Sequence, residues 1–151
     1  MSVIDVLERA EGTLADENEP FQFTNWATCG CGHVYHAVTG VYTTFSARAG
    51  WYEDSPSSIE YRNALRAILR AHDESPDLDP AGALSLLVGM EGNSDQSRRA
   101  FTLELVRKAL AREQYKAIID AAAYPDTVLL IHEWMDARIK QRKEHRQLQY
   151  R

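Results

Sequence analysis

Two thiols and two imidazoles fall within eight residues in the string Cys29-Gly-Cys31-Gly-His33-Val-Tyr-His36. On an extended strand, where side chains alternate in direction, Cys29, Cys31 and His33 would point to one side and could converge on a metal ion. Ligands this soft favour zinc. The first expectation is therefore a zinc site on Cys29, Cys31, His33 and His36, either structural within a binding module or the open centre of a metal-dependent enzyme that uses Cys29, Cys31 and a histidine. The spacing departs from zinc knuckles, which place at least two residues between their cysteines, and no second cysteine pair exists to complete a tetrahedron. If the segment is helical instead, Cys29, His33 and His36 share one face at i, i+4 and i+7. That face could hold a metal, or let His33 activate Cys29 as a nucleophile. The plainer alternative is two small thiols and two histidines packed among Trp26, Tyr35 and Tyr42. No orienting group or oxyanion site is readable nearby, and Glu133 and Asp136 read as surface carboxylates rather than an acid and a base. The reading leans away from an enzyme.

Basic residues form two further sets. Arg62, Arg66 and Arg70 stand four apart on one helical face, where a guanidinium row could meet phosphates or carboxylates but more often faces solvent. Arg138, Lys140, Arg142, Lys143 and Arg146 are the better partner-binding candidates, because Arg142 and Arg146 continue the apolar stripe Val128, Ile131, Met135 and Ile139. No glycine-rich phosphate loop or nucleic-acid motif accompanies either set. His132, between Ile131 and Met135, reads as a core histidine.

The string Trp26-Ala-Thr-Cys29-Gly-Cys31-Gly32-His33-Val-Tyr35-His-Ala37-Val-Thr-Gly40 resembles a pattern in small uncharacterised proteins of actinobacteria and their phages. The resemblance covers these fifteen residues and bears on source and compartment. It implies no activity, ligand or catalytic residue.

The elements that must position these residues are mainly helices. Ser2 with Asp5 makes a capping pair ahead of the stripe Val3, Leu7, Ala10 and Leu14, which predicts a helix over residues 3–16. Pro20 marks a loop. Residues 21–52 hold eight of the fourteen aromatics, and strand formers flank Thr39-Gly40, so a small β-hairpin is expected near residues 31–46. A helix over 26–38 is the rival, opposed by Gly30 and Gly32. Ser57 with Glu60 opens a helix over 57–72; Asp79 with Pro80 opens another, reaching about Met90. A long helix over 95–123 is apolar on two sides in its first half, as suits a sandwiched helix or a subunit contact. Pro125 breaks it, and Asp126 caps a last helix reaching about residue 145.

A 151-residue chain with 44% hydrophobic and 26% charged residues suits one globular domain rather than a disordered or fibrous protein. No apolar run is long enough to cross a bilayer, and the N-terminus carries acids where an export signal carries bases. Cys29 and Cys31 are too close to pair without strain, which fits a reducing, cytoplasmic setting. The net charge of −5 is uneven: residues 1–28 hold six acids and one base, residues 138–151 six bases and one acid. The expectation is a mainly α, five-helix domain over 1–151 with a basic helical extension from about residue 140. Its function is a binding or regulatory module engaging a protein, a second copy or, less favoured, a nucleic acid; the alternatives are the metal-dependent enzyme and a structural homo-oligomer subunit.

Overall fold

The computed structural model describes residues 1–43, 56–74, 79–121 and 125–149, with side chains at all of these except 56, 125–129 and 147–149. Six helices run through the described residues: α1 (Val3–Ala15), α2 (Gly30–Thr39), α3 (Pro56–Ala71), α4 (Pro80–Glu91), α5 (Asp95–Ala121) and α6 (Pro125–Gln149). No helix among them is long and apolar enough to cross a membrane.

Where a helix start rests on local chemistry, it lies where the sequence places it. The Asp5 amide donates to the Ser2 hydroxyl at 3.1 Å, and the Ser2 amide donates back to the Asp5 carboxylate at 3.0 Å, closing the capping box of α1. Asp79 accepts from the Gly82 amide at 3.0 Å, with Pro80 in the first turn of α4. Ser94 and Ser97 exchange amide-to-hydroxyl bonds in the same reciprocal way at the start of α5.

The expected β-hairpin is replaced by a helix. Residues 31–39 belong to α2, the segment 44–46 lies outside the described residues, and no strand occurs among those described. Gly40, read as the hairpin turn, is the C-cap of α2: its φ of +80° is the left-handed conformation that ends helices, and its amide donates to the His36 carbonyl at 2.7 Å. The glycines that argued against a helix are used for packing. A Cβ on Gly30 would stand 2.8 Å from the Thr102 methyl, and one on Gly32 would stand 2.8 Å from the Trp26 carbonyl oxygen. Tertiary contact at these two positions outweighs a helix penalty of about 0.5–1 kcal/mol for each glycine.

The chain divides into two units, Met1–Glu113 and Gln114–Arg151, with α5 crossing the boundary. In the first unit, α2 packs against α1, α3 and α4. The core comprises Val6, Leu7 and Leu14 of α1, Cys31 and Val34 of α2, Tyr61, Leu65 and Ile68 of α3, Leu84 and Val88 of α4, and Leu105 and Val106 of α5. Both apolar sides of the first half of α5 are used, since Leu105 and Ala109 are buried along with Val106 and Leu110.

Arg99 of α5 terminates α1. The last turn of α1 carries no basic residue, and its C-cap, Asp16, is extended rather than left-handed. The Arg99 guanidinium donates to the carbonyls of Leu14 (2.8 Å), Glu19 (2.9 Å) and Thr13 (3.0 Å), and also to that of Asp16. A cation thus meets the negative end of the helix and satisfies carbonyls that the helix leaves open. Arg99→Ala is expected to lower stability by about 2–3 kcal/mol, the scale of lost charged hydrogen bonds. Arg99→Lys should recover only part, because an ammonium cannot span these carbonyls as a planar fork does. Urea unfolding of the three proteins checks this; equal midpoints would mean that water replaces the guanidinium without loss.

In the second unit, Tyr115 of α5 meets Trp134 of α6 with ring centroids 5.6 Å apart. The stripe expected to be core is covered unevenly: Ile131 and Met135 are half-buried, Ile139 is exposed, and the side chain of Val128 lies outside the described residues. His132, read as a core residue, is exposed, because the half-buried side of α6 turns away from it.

Candidate functional site

The helical form of residues 30–39 separates the thiols. Cys31 points into the core, where its thiol donates to the Ala81 carbonyl at 3.2 Å, whereas the Cys29 sulfur lies 3.7 Å from the Trp26 carbonyl oxygen. Both are buried. His33 lies one turn beyond Cys29 and is fully buried. Its Nε2 is 2.7 Å from the Pro20 carbonyl oxygen and its Nδ1 is 2.8 Å from the Thr13 hydroxyl. A carbonyl can only accept, so Nε2 carries the proton and the neutral ring accepts the Thr13 O–H at Nδ1. With both nitrogens engaged, His33 presents no base to the Cys29 thiol.

Around this ring is a set of side chains that the spacing of the sequence did not reveal. The Tyr42 hydroxyl donates to Glu19 at 2.8 Å, and the Tyr42 ring meets His33 edge-on at 5.3 Å and stacks on His36 at 4.2 Å. Phe21 lies on another side of His33 at 5.8 Å. Burial holds the His33 imidazole down, at a pKa of about 4; Arg99 and His36 act in the same direction, and the Pro20 carbonyl and Glu19 partly oppose them. Burial, then the Glu19 carboxylate, pushes the Tyr42 phenol above its ordinary value. A neutral imidazole and a neutral phenol, each tied to a loop oxygen, make this cluster a clasp between α1, α2 and the 16–29 connection. Its members Thr13, Glu19 and Pro20 precede the cysteine segment, and only the lone proline in a polar stretch signals a fixed turn there.

The four residues expected to bind zinc are therefore dispersed. Cys29, His33 and His36 share one side of α2 and Cys31 faces the other; among the described residues no three His, Cys, Asp or Glu side chains gather as a metal site would require. Elemental analysis of the purified chain tests the zinc expectation directly. Zinc at one per chain, lost in Cys29→Ser, would require His33 to release Pro20 or Thr13 when metal binds. The expected outcome from this geometry is a melting temperature indifferent to a strong chelator.

The basic sets also separate. Arg62 and Arg66 are half-buried and only Arg70 is exposed, so this row is not one open face. Arg138, Lys140, Arg142, Lys143 and Arg146 are all exposed along α6. Lys140 lies 4.0 Å from Glu144, an exposed pair that contributes little. The Arg138 guanidinium lies over the Trp134 ring, 4.8 Å from its centroid. Leu130, Trp134 and Ile139 are 65%, 46% and 47% exposed, the first two ahead of the arginines and Ile139 among them. The stripe Val128, Ile131, Met135 and Ile139 leaves Leu130 and Trp134 on the opposite side of the helix, and both are exposed.

Comparison with protein-family models, curated proteins and solved structures finds no significant match to this chain.

Proposed function

We propose that this chain is a protein-binding module whose contact surface lies on α6 and whose partner presents an acidic surface with an apolar patch. One observation carries the reading: the exposed apolar residues Leu130 and Trp134 lead at four-residue spacing into the exposed cations Arg138, Arg142 and Arg146 on one helix. Exposed large apolar side chains beside cations are the composition of a contact surface, with an aromatic anchor and arginines as its strongest members. Phosphate is the weaker candidate. A phosphate backbone would engage the arginines and leave the exposed Leu130 and Trp134 in water.

Binding of the whole chain to poly-L-glutamate and to random duplex DNA, at low and at physiological salt, tests the reading. Poly-L-glutamate should bind, more weakly as salt rises, and a triple Arg142→Gln, Lys143→Gln, Arg146→Gln variant should lose at least tenfold in affinity with an unchanged melting temperature. Tighter binding to DNA than to poly-L-glutamate would transfer the site to nucleic acid. Binding to neither would leave α6 a solvated helix.

A further inference from the structure

The first unit carries an apolar face of its own. α4 buries Ala81, Leu84, Leu87 and Val88 but leaves Leu86 and Met90, one turn apart, 72% and 76% exposed. Its sequence Pro-Ala-Gly-Ala-Leu-Ser-Leu-Leu-Val-Gly-Met is apolar almost all round, which in a helix of this size means that a second side waits for cover. The sequence around it is acidic, and one guanidinium, that of Arg98, reaches α4 by donating to the Gly89 carbonyl at 3.4 Å. Residues 71–95 hold six acids and no lysine or arginine, and Asp79 and Glu91 are exposed at the two ends of α4.

We propose that the α4 face binds the α6 face of a second copy of this chain, so that two copies exchange their C-terminal helices reciprocally in a two-fold dimer. The inference rests on the α6 reading above and names its partner. Two features match. Leu86 and Met90 are the apolar counterpart of Leu130 and Trp134, and the exposed Asp79 and Glu91 at the ends of α4 are the counterpart of a helix end where residues 138–149 hold five bases and one acid. In a two-fold arrangement each copy offers both surfaces, so the contact forms twice and the assembly closes at two chains. Closure also removes both exposed apolar patches from water at once.

Sedimentation of the full-length chain against concentration and salt tests this, with variants on each face. The wild type should be a dimer at micromolar concentration, weakening as salt rises. Leu86→Glu with Met90→Glu should make it monomeric, as should Trp134→Ala with Arg142→Gln and Arg146→Gln. Leu86, Met90, Arg142 and Arg146 are largely exposed, whereas Trp134 also packs against Tyr115, so a wild-type circular dichroism spectrum is required of both variants before their mass is read. Mixing the two monomeric variants should restore a dimer, because one intact α4 face and one intact α6 face remain. That complementation separates two different surfaces from a single self-paired one. A wild type that stays monomeric while its α6 still binds poly-L-glutamate would overturn the second copy as partner and leave the binding reading standing. A dimer that survives Leu86→Glu with Met90→Glu would overturn α4 as the seat. A wild type that neither self-associates nor binds poly-L-glutamate would overturn both.

Discussion

Gly32→Ala is expected to destabilise the first unit by about 3 kcal/mol, at the upper end of the overpacking range, with the opposite sign from the same substitution at Gly12. The reason is what the new methyl would meet. At Gly32 the added carbon lies 2.5 Å from the Ala27 carbonyl carbon and 2.8 Å from the Trp26 carbonyl oxygen. These are backbone atoms of a turn held by the Thr28 and Cys29 amides donating to the Asn25 carbonyl, at 3.1 Å and 2.9 Å, so they cannot rotate aside as a side chain would. Relief requires moving either that turn or the start of α2, and α2 packs on three other helices. At Gly12, in the exposed interior of α1, nothing lies within 4 Å of the added carbon. Gly12→Ala should therefore stabilise by about 0.5–1 kcal/mol, the ordinary helix preference. Thermal or urea unfolding of the pair checks this. If Gly32→Ala proves as mild as Gly12→Ala, the close approach of the 26–29 turn to α2 is wrong.

That contrast also explains how much of the fold was legible. The starts of α1 and α4 were readable because Ser2 with Asp5, and Asp79 with Pro80, are caps whose chemistry closes within one turn. The helical form of α2 is not legible locally because the decisive facts are packing contacts: Gly30 opposite the distant Thr102, and Gly32 beneath the carbonyls of Trp26 and Ala27 in the preceding turn. A propensity count sees only glycine and strand formers there, and it favours a hairpin. The helical alternative still carried the right arithmetic, since Cys29 and His33 do lie one turn apart. What no spacing encodes is which partners the imidazole finds. Thr13 and Pro20 reach His33 because α1 packs on α2, and Arg99 joins them because α5 caps the end of α1. On α6 the basic residues and the outward side of Leu130 and Trp134 were legible from the stripe, whereas the exposure of His132 and Ile139 depends on what the second unit leaves uncovered, which a helical wheel does not contain.

His33 should make the protein lose about 3 kcal/mol of stability between pH 6.5 and pH 4, from a single proton. In the unfolded chain an imidazole takes its proton near 6.5, whereas in the fold burial holds His33 neutral down to about 4. Above 6.5 both states are neutral and the residue contributes no pH dependence. Between the two values only the unfolded chain binds the proton, so stability falls as pH falls; below 4 both states bind it and the effect is complete. The cause is desolvation rather than a lost hydrogen bond, as the Thr13 hydroxyl shows. It lies 2.8 Å from Nδ1 and 3.2 Å from the Ala10 carbonyl oxygen. When the ring is protonated, the hydroxyl can turn its hydrogen to Ala10 and accept from Nδ1, so every polar atom keeps a partner. What the cation lacks is water, with the Arg99 guanidinium and His36 adding repulsion that the Glu19 carboxylate only partly offsets. His33→Gln retains a donor for Pro20 and an acceptor for Thr13 but cannot titrate. It should be less stable than the wild type at pH 7, and the difference between the two should shrink by about 3 kcal/mol by pH 4. Urea midpoints at several pH values for both proteins give that difference directly, with the protonation of carboxylates common to both removed by subtraction. Parallel curves across the whole range would mean that water reaches the imidazole and that the clasp between α1, α2 and the Pro20 turn is open in solution.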